Sequence, residues 1–336
     1  MNDAAADNKP LASISLDLDN RWSYMKTHGD AGWKSFPSYL DVFVPVALDM
    51  LARHGLTITF FIVGQDAALD RNRAALAALT AAGHEIGNHS FHHEQWMIGN
   101  SRDEIRAELV QASAAIEAAT GQQPRGFRGP GFSWSPALLD VLEEAGYLYD
   151  ASTLPTYIGP LARRYYFRQT SLSDRDMEKR QDLFGGFSDG LRPVRPYFWE
   201  LGDRRRLLEI PVTTMPLFKL PFHLSYLLYL SRYSPGLMMA YLRTALWLCR
   251  RTGTAPSFLL HPLDLIGPEQ APELAFFPGM DLGVAHKQAV FDRVIGEIRR
   301  WFTPVAMNQY AGHVLNDDLP ARSPGPRASN DKVTAA

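Results

Sequence analysis

Residues Ile14 to Trp22 read ISLDLDNRW and set two carboxylates, Asp17 and Asp19, on either side of Leu18 among apolar neighbours. A carboxylate is costly to bury without a partner, so such a pair serves a charge, a metal or a proton unless it marks a solvated strand end. Three readings fit this stretch alone: a turn after a strand, the Asp-x-Asp of a nucleotide-sugar glycosyltransferase, and a hydrolase metal site. Further on, NHSFHH places His89 and His93 four apart with His92 between them. Two histidines at that spacing can reach one metal if the segment begins a helical turn, and otherwise form a polar turn. With Asp19 added, two neutral imidazoles and one carboxylate leave positions open for water, a set suited to one catalytic divalent ion. The donor types allow Zn²⁺ first, and Fe²⁺, Co²⁺, Ni²⁺ or Mn²⁺ besides.

These side chains need elements to carry them. ASISLDL, LTITFFIVG and HEIGNHS read as strands, RGFRGPG as a strand end and YLYDAS as a further strand. Leu40, Phe43, Val44, Ala47, Leu48 and Leu51 recur at helical spacing, with Pro45 expected in the first turn. Ser101 and Glu104 form a capping box ahead of Ile105, Leu109, Ala112 and Ile116. Regularity fails over residues 161–206. LLEIPVTT and PSFLLHP resume the strands, HKQAVFDRVIGEIRRWF reads as a helix and TPVAMNQY as a last strand. Repeated β-α units imply parallel strands with helices outside, in an α/β barrel or an open sheet. In a barrel, catalytic groups gather at strand C-termini, and Asp17, Asp19, His89, Arg128, Asp150 and His261 all fall there.

A chain of 336 residues with a formal net charge of −2 gives no electrostatic case for nucleic acid binding. Cys249 is the only cysteine, so no intramolecular disulfide is available. MNDAAADNKP lacks the basic and apolar regions of a signal peptide, and no charge-free apolar run reaches spanning length. The expectation is a cytoplasmic enzyme. Residues 1–10 are expected to be flexible, and 316–336, rich in Pro, Ser and charge, to be disordered.

Taken together, Asp17/Asp19, HSFHH, FRGPGF, YDAS and FLLHP, in this order on successive strand ends, resemble the polysaccharide deacetylase (NodB-homology) family in an Asp-x-Asp form, over residues 11–155 and 207–265. The resemblance implies a distorted (β/α) barrel of about seven parallel strands, filling residues 11–315 as one domain with insertions at about 20–38, 161–206 and 215–251. It implies a metal-dependent hydrolase that removes an acetyl or formyl group from an amino sugar. Asp19, His89 and His93 would be the metal ligands and Asp17 the general base. Arg128 would hold Asp17, the N–H of Gly131 would lie near the developing oxyanion, and His261 would be the general acid. Asp150 would orient or tune a neighbour, and His92 has no role beyond a polar turn. Three places depart from the commonest family pattern: Leu18 separates the aspartates, Gly131-Phe132 replaces a tyrosine after the third motif's proline, and the loop from Asn20 to Ser38 is long and aromatic. The glycosyltransferase reading leaves the histidine pair and FLLHP unused.

Residues 215–251, MPLFKLPFHLSYLLYLSRYSPGLMMAYLRTALWLCRR, are apolar and aromatic with Lys219, Arg232 and Arg243 interspersed. That pattern suits either helices packed on the barrel or an element lying in a membrane interface. In the second case Arg163, Arg164, Arg168 and Arg204–Arg206 could meet lipid phosphates, and the amino sugar would be lipid-linked, met on the cytoplasmic face of a membrane. The remaining alternatives are an amidase for a small non-sugar amide and a non-catalytic glycan- or lipid-binding relative.

Overall fold

The computed structural model describes residues 9–94, 99–159 and 187–325. Seven strands lie side by side, each parallel to its neighbour, in the order β7 (Arg205–Glu209), β5 (Tyr149–Asp150), β4 (Gly126–Phe127), β3 (Glu85–Asn88), β2 (Thr59–Ile62), β1 (Leu11–Leu18) and β8 (Ser257–Leu260). The row is joined end to end by two hydrogen bonds rather than a ladder. Thr213, just beyond β7, donates its N–H to Ser257 O at 3.0 Å, and Ser257 N–H returns to Thr213 Oγ1 at 2.8 Å. This is the expected distorted α/β barrel, loosest where β7 meets β8. Outside it, β6 (Tyr197–Leu201) runs antiparallel to β7, and β9 (Thr303–Val305) pairs with the start of β1.

The strands are buried on both faces, as parallel strands covered by helices must be. In β1 the two faces differ in kind. Ile14, Leu16 and Leu18 join the apolar layer beneath α2 (Leu40–Arg53), whereas Ser15 and Asp17 turn to the barrel interior, where both meet Arg128. Two glycines make room inside. A Cβ at Gly87 would lie 2.4 Å from the Phe61 ring, and one at Gly126 would lie 2.1 Å from the Tyr149 ring. Only glycine lets those rings fill the interior.

Several sequence expectations change. α2 begins at Leu40, which puts Pro45 beyond the first turn, inside the helix. MNQY is not strand: β9 stops at Val305, and Met307–Val314 form a helix that packs its Met307, Tyr310 and Ala311 into the barrel interior. A short apolar run cannot by itself distinguish these two states. The 20–38 loop is a helix, α1 (Arg21–His28), capped by Asn20 and ended by Gly29 at φ 94°, followed by a tight turn at Ala31–Ser35. Residues 316–325 are described, and Ala321–Arg322 pair in parallel with Phe198 and Trp199, so the structured chain runs past position 316. The capping box at Ser101 forms as expected at the start of α5 (Arg102–Thr120).

Residues 215–251 supply two helices, Leu224–Ser231 and Pro235–Thr252. Leu227 and Leu228 are buried in the main core, so they face the protein and not a lipid phase. No helix among the described residues is long and apolar enough to cross a membrane. Arg205 opens β7, at the end of the barrel opposite the strand C-termini, and pairs with Asp140 and Glu143. The run Arg204–Arg206 therefore does not share a surface with the candidate site. Arg163, Arg164 and Arg168 lie outside the described residues.

Leu227→Ala is expected to lower unfolding free energy by about 2–5 kcal/mol, the usual result of emptying a packed leucine site. Denaturant titration measures it. A change under about 0.5 kcal/mol, typical of surface positions, would return this leucine to an exposed interface.

Candidate metal centre

At the end of β1 the chain delivers Asp17 and then turns sharply, with Asp19 N–H donating to Asp17 O at 2.8 Å. The carbonyl of Asp19 accepts the Tyr39 hydroxyl, which fixes the turn from the far side. β3 ends one residue before His89. The His89 Nδ1 lies 2.6 Å from Arg128 O. A carbonyl only accepts, so the ring proton sits on Nδ1, and the free Nε2 faces Asp19 Oδ1 at 3.6 Å. His93 Nε2 lies 2.8 Å from the same oxygen.

The histidine segment is not a helical turn. Ser90 and His93 both take left-handed backbone, at φ 62° and 53°. The bend is held by Ser90 N–H on Asn88 Oδ1, His93 N–H on Ser90 Oγ, and Glu108 of α5, which accepts the N–H groups of Phe91 and His92. Glu108 also engages His92 Nδ1 at 2.7 Å, which keeps that imidazole out of the cluster.

Asp19, His89 and His93 each offer one ligand atom, and these atoms lie within 4.8 Å of one another. Asp19 Oδ1 is buried and makes no aligned hydrogen bond despite the nearness of His93 Nε2. Ligand atoms stand this way when they point at a common centre rather than at each other. One carboxylate and two imidazoles fit a divalent cation. Burial would raise the Asp19 carboxyl, but His93, His89 and His261 outweigh it and hold it at about 2. Burial pushes His89 down, which favours the neutral ring a metal needs.

Arg128 is fully buried. Its Nη1 donates to Asp17 Oδ1 at 2.7 Å and to Ser15 Oγ at 2.8 Å, and its Nε donates to Ala151 O at 3.0 Å. Gly131 lies in the following turn at φ 61°, in the left-handed region. Asp150 stands one step back. It accepts from Ser152 Oγ at 2.5 Å, and Ser152 Oγ accepts from Gly129 N–H at 2.8 Å, so Asp150 steadies the backbone between Arg128 and Gly131. His261 follows β8. Burial would lower this imidazole, but Asp264, aided by Asp17 and Asp19, raises it to about 9. Asp264 also accepts the His261 backbone N–H at 2.9 Å.

Sequence reasoning passed over four groups. Asp264 sits three residues after His261, a spacing that could have been read as a local cap. Glu209, in the apolar run LLEIPV, accepts from Thr153 N–H, Thr153 Oγ1 and Trp199 Nε1. Burial pushes both Asp150 and Glu209 upward, and the neighbouring Asp150 raises Glu209 further, whereas the hydrogen bond from Glu209 works to lower Asp150. Asp66 accepts from Asn20 Nδ2 at 2.6 Å and Trp22 Nε1 at 2.9 Å. It thereby ties α1 beside the site, where the Trp22 ring meets His93 edge-on. His223 brings a ring to 6.0 Å from that of His261.

Residues 30–149 match the model of the polysaccharide deacetylase family. The segment carries His89, His93 and Arg128. The chitooligosaccharide deacetylase of Sinorhizobium fredii is 34% identical over 107 residues, 31% of this chain and 48% of the relative. The peptidoglycan-N-acetylmuramic acid deacetylase of Bacillus subtilis is 31% identical over 110 residues, 32% of this chain and 41% of the relative. The chain thus spans about half or less of the length of these curated relatives. Two solved structures described as candidate polysaccharide deacetylases share the fold along nearly the whole chain. One, from Mycobacterium smegmatis, has 21% identity, covers 94% of both chains and has a TM-score of 0.57. The other, from Pseudomonas aeruginosa, has 18% identity, covers 92% of this chain and 91% of its own, and has a TM-score of 0.56.

His89→Ala, His93→Ala and Asp19→Asn are each expected to abolish tight Zn²⁺ binding in calorimetric titration, because each removes one of three ligands. His92→Ala should bind as wild type does. Zn²⁺ loss in the His92 variant instead would overturn this ligand set.

Asp66 gives a separate test in metal-free protein. Burial lifts its carboxyl to about 7. An acid raised on folding binds its proton more tightly in the native state, so its contribution falls as pH climbs from about 4 to about 7 and then levels. Asp66→Asn keeps an acceptor for Trp22 and should be the more stable form at pH 8, with its advantage shrinking at pH 5. Thermal melts of both proteins at the two pH values check the sign.

Proposed function

We propose that this protein is a metal-dependent hydrolase that removes an N-acyl group, acetyl or formyl, from an amino sugar, with Zn²⁺ as the preferred ion. The observation that carries the reading is the division of one site into three parts: the Asp19, His89 and His93 cluster, Asp17 held by Arg128, and a cationic His261 held by Asp264. The family of residues 30–149 and the names of its relatives agree with it.

A divalent ion held by Asp19, His89 and His93 would supply Lewis-acid activation of water and of the scissile carbonyl. Asp17 would take the proton from the attacking water, with Arg128 fixing which oxygen it presents. The turn at Gly131 would offer its N–H where negative charge develops on the carbonyl oxygen. Asp150, through Ser152 and Gly129, would keep that turn in place. His261 would give its proton to the departing amine nitrogen as the C–N bond breaks, leaving a carboxylate and a free amino sugar. An imidazole raised to about 9 is charged at neutral pH and so ready to donate.

The finer reading is a lipid-linked amino sugar met at the cytoplasmic face of a membrane. Its support is a set of exposed apolar side chains on the two helices of the 215–251 insertion and the turn between them, Tyr229, Tyr233, Leu237 and Trp247. The deciding experiment measures acetate and formate release from N-acylated chitooligosaccharides in solution and from polyprenyl-phosphate amino sugars in vesicles, with and without Zn²⁺. Release from vesicles alone supports the lipid-linked substrate. Release from soluble sugars alone removes it, and no release from either removes the hydrolase.

Asp17→Asn should retain metal and lose about 10²–10⁴ in kcat, the range for a general acid or base. His261→Ala should also retain metal, with a defect that shrinks as the leaving amine becomes less basic. Loss of metal from Asp17→Asn, or a His261 defect indifferent to the leaving group, would refute these roles.

A further inference from the structure

His223 begins the helix Leu224–Ser231 as its N-cap, yet its side chain makes no capping bond. Its backbone carbonyl takes the N–H groups of Tyr226 and Leu227 in the ordinary way. The imidazole instead turns to the barrel mouth. It is 6% exposed, and its ring lies edge-on to Tyr226 at 4.7 Å and 6.0 Å from the ring of His261. Its Nδ1 is buried and meets no hydrogen-bond partner among the described residues. His261, Asp264, Asp17 and Arg128 are the titratable and charged groups whose fields reach it.

A buried ring nitrogen without a partner is a destabilising feature that a fold does not need, because an apolar side chain of similar size would pack there at less cost. A buried polar group left unpaired by its own chain calls for a reason, and a partner arriving from outside the chain is one. Burial and the neighbouring His261 push this imidazole down to about 3, so it is neutral at physiological pH. A neutral imidazole has one donor and one acceptor nitrogen, and a hydroxyl, which can both give and take a proton, matches either. A second acid is not needed here, since His261 already holds the proton.

We propose that His223 is a substrate-contacting residue whose Nδ1 hydrogen-bonds a sugar hydroxyl next to the acylated nitrogen, and that it sets specificity for a hydroxylated ring over a plain amide. The inference rests on the amino-sugar reading above and adds which part of the substrate the insertion recognises. A site built to pair with a hydroxyl discriminates strongly against a ligand that lacks it, because the protein group is then left unpaired.

The test uses the full Zn²⁺-loaded chain, with N-acetylchitotetraose as probe, and compares wild type with His223→Leu and His223→Gln. The expected result for His223→Leu is a melting temperature equal to or above wild type together with a fall of about tenfold or more in kcat/KM. His223→Gln, which restores a hydrogen-bonding side chain, should recover most of that loss. A lowered melting temperature in His223→Leu would overturn the proposal, since the imidazole would then serve the fold. Unchanged kcat/KM in His223→Leu would overturn it equally. If wild type releases no acetate from the probe, the amino-sugar reading fails on that count for this sugar. The melting comparison still decides whether the imidazole has a structural duty.

Discussion

One buried cation organises the molecule. Arg128 has no exposed surface, and an isolated guanidinium in a protein interior would be prohibitively costly. It is tolerated because its donors are spent on fixed acceptors: Asp17 and Ser15 from β1, and the carbonyl of Ala151 just after β5. Its flat face lies 4.4 Å above the Phe61 ring of β2, and Nη2 touches Met307 Sδ at 3.7 Å. Strands β1, β2, β4 and β5 and the helix Met307–Val314 are thereby tied to one charge. The interior of the barrel has to be polar at this level. The glycines at 87 and 126 serve the same interior, since a Cβ at either would collide with the Phe61 or the Tyr149 ring.

The other end of the barrel is closed around a buried carboxylate. Glu85 at the start of β3 accepts from Thr59 Oγ1 at 2.5 Å, Tyr149 OH at 2.9 Å and Asn308 N–H at 2.8 Å. Asn308 is in the first turn of Met307–Val314, where unpaired N–H groups favour a negative partner. Burial still pushes Glu85 upward, so this cap is held by hydrogen bonding against a desolvation cost. The helix that plugs the bottom is the one whose Met307 supports Arg128 above. Floor and site are thus mechanically continuous, which explains why a segment readable as a strand must be helical here.

How much of this could be read in the sequence follows from the range of each interaction. Asp17, Asp19, His89, His93, Arg128 and His261 were legible because each sits at a strand end within a short pattern of unusual polarity. Asp264 was within reach, three residues from His261, through its cap on the His261 backbone. Glu209 and Asp66 were not, because their partners lie far along the chain: Thr153 and Trp199 for the first, Asn20 and Trp22 for the second. The stretch 215–251 had two physical outcomes with one composition, since Leu227 satisfies a protein core as well as a membrane. Only the position of β8 and the neighbouring helices chooses the core.

The spacing of the two aspartates acquires a reason from the charges around them. Asp17 faces a permanent cation, and Asp19 faces imidazoles that can be neutral. An arginine against Asp19 would set a fixed positive charge beside the place where a metal ion would sit, and the repulsion at such range in a poorly screened interior is large. Placing Arg128 against Asp17 leaves that charge one side chain away and leaves Asp19 Oδ1 to the two imidazoles. The intervening Leu18 points to the apolar layer and the turn brings Asp19 N–H onto Asp17 O, so the two carboxylates cannot slide past each other. Two acids of one type are thus held to two different partners by a single residue between them. A direct Asp-Asp pair would need another way to keep its arginine away from the ion.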